Sequence, residues 1–271
     1  MFKYFSRSAV AAAALVVSLG AQAGILIDDF SAPSTGEQLA TDVKFKGVGE
    51  SVGSSAAGQS GSMIGGNRDI FVIETEVADP TRGDGGSSGG HINVADGVLG
   101  FSTDAGQYAV GIIRWDGASH TFAQDSTKTT AENVDLAVGS ISTTGFTAEN
   151  LSGSAVAFKI TVLSADAGFP FTLQAYSGSA MSEVSLISGA GPGVYYVPFA
   201  GFSGTADFGA ITALQAIINF PGSPVIDVDL RIDTVETIPE PGALALVGLA
   251  MLGLGLTRRS GKRAAAQALP A

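Results

Sequence analysis

The chain has 271 residues, no cysteine, 37 glycines and 10 prolines, with 14% charged and 45% hydrophobic residues. The missing thiols exclude a disulfide scaffold, a thiolate metal centre and a cysteine nucleophile. Abundant apolar residues exclude a largely disordered chain, and the formal net charge of −11 is unevenly spread.

At the N-terminus, Lys3 and Arg7 precede an apolar run from Ala9 to Leu19, and Gly20-Ala21-Gln22-Ala23-Gly24 follows. The run is well short of the ~20 residues that a membrane span needs. A basic start, a short apolar stretch and small residues at Ala21 and Ala23 form the pattern of a cleaved secretory signal, residues 1–23. The mature chain is expected to open at residue 24.

Residues 24–241 hold 25 acidic and 8 basic side chains, a formal net charge of −17. A field of that sign repels phosphate backbones, so no nucleic-acid partner is expected, and it attracts divalent cations. The hydrophobic pattern here has period two. Asp69–Val77, Gly106–Trp115 and Ala155–Leu163 read as strands rich in β-branched and aromatic residues. Phe171–Tyr176, Ser182–Ile187, Val194–Phe199, Leu214–Phe220 and Val225–Val235 continue the series. In the last run Ile226, Val228, Leu230 and Ile232 share one face, and Asp227, Asp229, Arg231 and Asp233 the other. No amphipathic helix of useful length is expected between the two ends. Many short strands over residues 24–237 predict an all-β fold, an antiparallel β-sandwich with one core between two sheets.

Three landmarks recur in order: an opening strand Ile25-Leu-Ile-Asp-Asp-Phe30, an entry Gly65-Gly-Asn-Arg-Asp-Ile70, and a closing Arg231-Ile-Asp-Thr-Val235. Their order resembles the jelly-roll, galactose-binding-like carbohydrate modules. The resemblance implies a jelly-roll winding and a structural calcium ion between the first and last strands, with Asp28, Asp29 and Asp233 as candidate oxygen ligands. The alternative is that the aspartates of the last strand are a solvated outer face. A carbohydrate partner such as exopolysaccharide needs an aromatic platform for the apolar face of a sugar ring. Trp115 precedes Asp116-Gly117, a turn signal that would bring it to a rim, and its alternative is a core aromatic. Tyr195 and Tyr196 are adjacent on a strand, so one faces outward.

At the C-terminal end, Ile238-Pro239-Glu240-Pro241 fixes an extended peptide, since its prolines suit neither a ladder nor a helix interior. An uncharged apolar segment, residues 242–256, follows, and then Arg258, Arg259, Lys262 and Arg263. A helix over that segment reaches about 22 Å, short of a ~30 Å hydrocarbon core. Over residues 238–263 this order resembles the PEP-CTERM sorting signal of Gram-negative bacteria. The resemblance implies transient inner-membrane insertion through a short transmembrane helix and recognition of Pro239, Glu240, Pro241, Arg258 and Arg259 by exosortase. It further implies delivery to the cell surface or exopolysaccharide matrix. The tail, residues 264–271, departs from that pattern and is read as cytoplasmic.

Catalytic signals are poor. Only His91 and His120 are available as bases or nitrogen ligands. Gly85-Gly-Ser-Ser-Gly89 has G-x-S-x-G spacing but sits in a glycine run with no helix after it. No catalytic residue is assigned, and the expected role is non-catalytic, structural or carbohydrate-interacting. A secreted glycan-active enzyme with paired carboxylates and an adhesin or self-assembling surface protein are the alternatives.

Overall fold

Alternation of apolar and polar side chains organises the middle of the chain into two stacked sheets. The computed structural model describes residues 24–31, 38–42, 51–52, 54–57, 63–74, 90–103, 108–120, 128, 130–153, 155–220 and 225–239. The N-terminal segment with Ala21 and Ala23 and the C-terminal segment from residue 240 onward, with Glu240, Pro241, Arg258 and Arg259, lie outside those residues, as does Gly85–Gly89. Gly24–Ile238 form one compact unit.

The strands are β1 (Leu26–Asp28), β2 (Gln38–Asp42), β3 (Ser51–Val52), β4 (Ser54–Ala57) and β5 (Asn67–Glu74). Next come β6 (Gly90–Ala95), β7 (Val98–Thr103), β8 (Ala109–Trp115), β9 (Ala155–Ala165) and β10 (Pro170–Ser177). The chain continues through β11 (Ala180–Ile187), β12 (Gly193–Pro198), β13 (Ser203–Gly204), β14 (Ala213–Ile218) and β15 (Asp229–Pro239). The first sheet has the order β12-β9-β15-β7-β6-β2-β3, with β1 also on β15. The second has the order β13-β11-β10-β14-β8-β5-β4. The strand pairs are antiparallel.

Eight of these strands carry a jelly-roll winding. One sheet contains β7-β15-β9-β12 and the other β8-β14-β10-β11, so most connections between them cross from sheet to sheet. The core lies between the inner faces, where Ile70, Ile113, Ile160, Phe101, Leu214 and Ile232 are buried together. Burial of this apolar area is the main force holding the two layers.

Three local features differ from the expectations. First, α1 (Thr130–Gly139) packs on the outside of the second sheet. Its Val134 and Ala137 bury against Phe71, Ile73, Val110, Ile112 and Ile217, a second apolar cluster separate from the core. With Val138 alongside, that makes a narrow stripe at i, i+3, i+4, too few residues to register as an amphipathic helix. Second, β6 and β7 form a hairpin outside the runs read from the sequence. Its two-residue turn, Asp96-Gly97, has positive φ at both positions (52° and 75°), as a type I′ turn requires. Third, Val228, Leu230 and Ile232 do face inward, but Ile226 does not. It lies in the turn before β15, where Asp227 has φ 55°.

Candidate functional site

The outward faces of the two sheets differ in chemistry. On the first sheet, β12, β9, β15 and β1 lie side by side. Tyr196 pairs with Lys159 across β12 and β9, and Glu236 pairs with Leu26 across β15 and β1. Lys159 Nζ donates to Glu236 Oε1 at 2.6 Å, which joins the two pairs into one transverse row. That hydrogen bond and the Glu236 charge hold the Lys159 ammonium above its ordinary range. Tyr196 is 59% exposed, Val194 two residues before it on β12 is 45% exposed, and Leu163 farther along the same face of β9 is 41% exposed. An aromatic ring, an apolar surround and a hydrogen-bonded charge pair therefore share one open surface. Such a surface stacks on a planar apolar face and still offers donors and acceptors to hydroxyls.

On the second sheet the corresponding level is covered. Asp69, Arg114, Gln215, Gln174 and Glu183 stand opposite one another on β5, β8, β14, β10 and β11. From Arg114 to Glu183 they form a hydrogen-bonded ladder across four strands, with Asp69 next in the row on β5. Arg114 Nε and Nη2 each donate to Gln215 Oε1 at 3.1 Å. Gln215 Nε2 donates to Gln174 Oε1 at 2.8 Å, and Gln174 Nε2 to Glu183 Oε2 at 3.1 Å. Tyr176 Oη also donates to Gln174 Oε1, at 2.9 Å. Arg114 and Gln215 are fully buried and only Glu183 is exposed. The C-terminal end of α1 covers the arginine, whose guanidinium also donates to Ala137 O and Ser140 Oγ. Burial draws the Arg114 pKa down and pushes the Tyr176 phenol up.

Beyond Arg114 the ladder ends in a compact group of Asp69, Asp116 and His120, whose ligand-type atoms lie within 4.8 Å of one another. Asp69 comes from the outward face of β5, and the turn after β8 supplies Asp116 and His120. Gly117 makes that turn possible. It has φ +71°, and a β-carbon there would stand 2.6 Å from the Gly145 backbone. His120 Nδ1 lies 2.9 Å from Asp69 Oδ2 and 3.6 Å from Asp116 Oδ2. Burial pushes the Asp69 carboxyl up to about 6, with His120 opposing the rise and Asp116 adding to it. The turn thus seats His120 between two carboxylates.

Trp115 corrects its expected place at the rim. It is 1% exposed, and its Nε1–H donates to Asp28 Oδ2 at 2.6 Å. Residues 109–115 complete β8 before the turn begins, so the tryptophan points into the core while Arg114 and Asp116 point out. Asp28 is likewise corrected as a calcium ligand. Its two oxygens receive Arg68 Nη1 at 2.7 and 2.8 Å, besides Trp115 and the Phe30 amide. β1 and β15 do pair, as the resemblance implies. Asp29 accepts from the Ser31 amide and hydroxyl, and Asp233 is half-buried on β15. Among the described residues, Asp28, Asp29 and Asp233 do not gather into a ligand group. Of the two tyrosines, Tyr196 faces out, whereas Tyr195 lines an apolar cleft between the sheets, with Val162, Phe171 and Leu186. Pro239 is the exposed last residue of β15.

With the geometry in place, comparison with known proteins adds one motif. Residues 237–259 match the PEP-CTERM protein-sorting motif. The match begins at Thr237, the last buried residue of the final strand. No curated protein matches it. Among solved structures, the family 11 carbohydrate-binding module from Clostridium thermocellum in complex with a β-1,3-1,4-mixed-linked tetrasaccharide aligns at TM-score 0.35 and 10% identity. That alignment covers 81% of this chain and 98% of the module. The family 11 module of the cellulosomal cellulase Lic26A-Cel5E from the same organism aligns at 0.35 and 10%, over 82% and 97%. The β-sandwich itself rests on the strand pairings described above.

Proposed function

We propose that the chain is an exported, non-catalytic surface or matrix protein that contacts neutral glycan through the open face of its first sheet. The observation carrying this reading is the row Tyr196–Lys159–Glu236, exposed at its aromatic end, with Val194 and Leu163 exposed farther along the same strands. A pyranose ring presents an apolar C–H face to an aromatic surface, and its hydroxyls both donate and accept. The PEP-CTERM motif at residues 237–259 supports export and sorting, with exosortase as the processing partner. Among the described residues no helix is long and apolar enough to cross a membrane, and the apolar segment 242–256 lies outside them.

Two experiments test the two halves of the reading. Replacing Pro239 and Glu240 by alanine is expected to leave an unprocessed, membrane-held precursor in the host. An unchanged mature mass and location would remove exosortase from the account. For the ligand, the processed protein is applied to an array of neutral and acidic polysaccharides beside its Tyr196→Ala variant. Binding that Tyr196→Ala abolishes supports the reading, and a blank array contradicts it. A second reading has its own observation: among the described residues β12 is an edge strand of its sheet, and edges template self-association. If Tyr196→Ala changes the sedimentation coefficient and no sugar binds, self-assembly replaces glycan contact.

A further inference from the structure

On the covered face, the Asp69–Asp116–His120 group has two features that a purely structural ion pair does not need. Asp69 is fully buried, yet its Oδ1 has no hydrogen-bond partner among the described residues. Asn67, two residues earlier on the same outward face of β5, is also buried, its Oδ1 unpartnered among the described residues, while its Nδ2 donates to Ala118 O in the same turn. Two orphaned oxygens therefore border the turn that carries Asp116 and His120. Leaving a buried acceptor unmade costs about 1–3 kcal/mol, so both atoms are suited to a further electrophile.

Charge leads to the same conclusion. The nearest fixed cation, Arg114, approaches Asp116 only to 4.0 Å and spends its nitrogens on Gln215, Ser140 and Ala137. Two buried carboxylates thus share one guanidinium, which makes a long ion pair with Asp116 and gives its hydrogen bonds to other groups. The spacing fits a metal ion. For metal–ligand bonds of about 2.1 Å, adjacent ligand atoms stand roughly 3.0 Å apart in an octahedron and roughly 3.4 Å apart in a tetrahedron. The measured separations from His120 Nδ1 are 2.9 and 3.6 Å. Backbone donors already fix both carboxylates, through the His120 amide on Asp69 and the Ala118 and Ser142 amides on Asp116.

We infer that Asp69, Asp116 and His120 bind a first-row divalent transition-metal ion. One imidazole with two carboxylates selects such an ion over calcium, which takes six to eight oxygens. Three protein ligands leave positions open to water or an incoming oxygen, and the His120 side chain is 25% exposed, which places the site at the solvent edge. The ion ties the turn after β8 to β5.

The test uses the processed protein after treatment with a chelator. Zinc is titrated by calorimetry, with cobalt(II) absorption as a second readout. One zinc per chain, visible cobalt bands and a raised unfolding midpoint are expected. His120→Ala removes a partly exposed side chain and leaves the core intact, and it should weaken zinc at least about ten-fold. Asp69→Asn should do the same, and circular dichroism checks its fold. Zinc binding unchanged in His120→Ala would overturn the assignment, as would the absence of zinc and cobalt binding. Calcium displacing zinc at equal concentration would also overturn it.

Discussion

The two outward faces of this sandwich show how one strand pattern builds both a buried and an open surface. The second sheet's outer face is roofed by α1 over Phe71, Ile112 and Ile217, and its polar row is consumed internally from Arg114 to Glu183. The first sheet's outer face keeps Tyr196, Val194 and Leu163 in solvent around Lys159–Glu236. Stability should follow the roofed face and ligand binding the open one.

The largest expected effect lies under the roof. Arg114→Met strips Gln215 Oε1 of its donor, removes one of the donors to Ala137 O, and leaves Asp69 and Asp116 without the nearby guanidinium. A loss of about 3–5 kcal/mol is expected in urea unfolding of metal-free protein; a loss below about 1 kcal/mol would show the ladder to be dispensable. Val134→Ala opens a void between α1 and the sheet and should cost about 2 kcal/mol. An unchanged midpoint for that variant would mean the helix is not docked as described.

On the open face, Lys159→Ala breaks a pair whose side chains are 31% and 35% exposed. Solvent screens such pairs, so less than about 1 kcal/mol of stability should go, while glycan affinity falls. The reverse outcome, a large stability loss with affinity intact, would erase the contrast between the faces. The smallest effect concerns Tyr176. Burial holds its phenol protonated above the ordinary 10.0. Its contribution to stability is complete below pH 10 and is lost as the pH rises through the higher native value. Absorbance titration at the phenolate band, wild type minus Tyr176→Phe, should give a midpoint above 10. A midpoint at or below 10 would place Tyr176 in solvent.

Much of the fold is legible in local sequence. Alternation in Ala155–Leu163, Phe171–Tyr176 and Leu214–Phe220 locates β9, β10 and β14 to within about two residues, because each strand buries every second side chain against one core. The Trp-Asp-Gly turn is also real, but one position decides what it displays. Trp115 completes the strand facing inward, where Asp28 accepts its N–H, and Asp116 is the residue that emerges. The helix escapes notice because its buried stripe is only Val134, Ala137 and Val138. The functional rows escape for a different reason. Lys159 meets Glu236 across 77 positions and Arg114 meets Gln215 across 101, and no local pattern encodes a partner brought in by sheet order. Tyr196 was accessible to sequence reasoning because adjacent residues on a strand must face opposite ways.

The most direct measurement sets binding against folding in a single variant. Processed wild type and Tyr196→Ala are compared by calorimetric titration with the strongest polysaccharide from the array and by urea unfolding. Affinity should fall at least about ten-fold while the unfolding midpoint stays within the ~0.5 kcal/mol typical of a surface change. Equal affinity in the two proteins would contradict the assignment of the open face as the glycan-contacting surface.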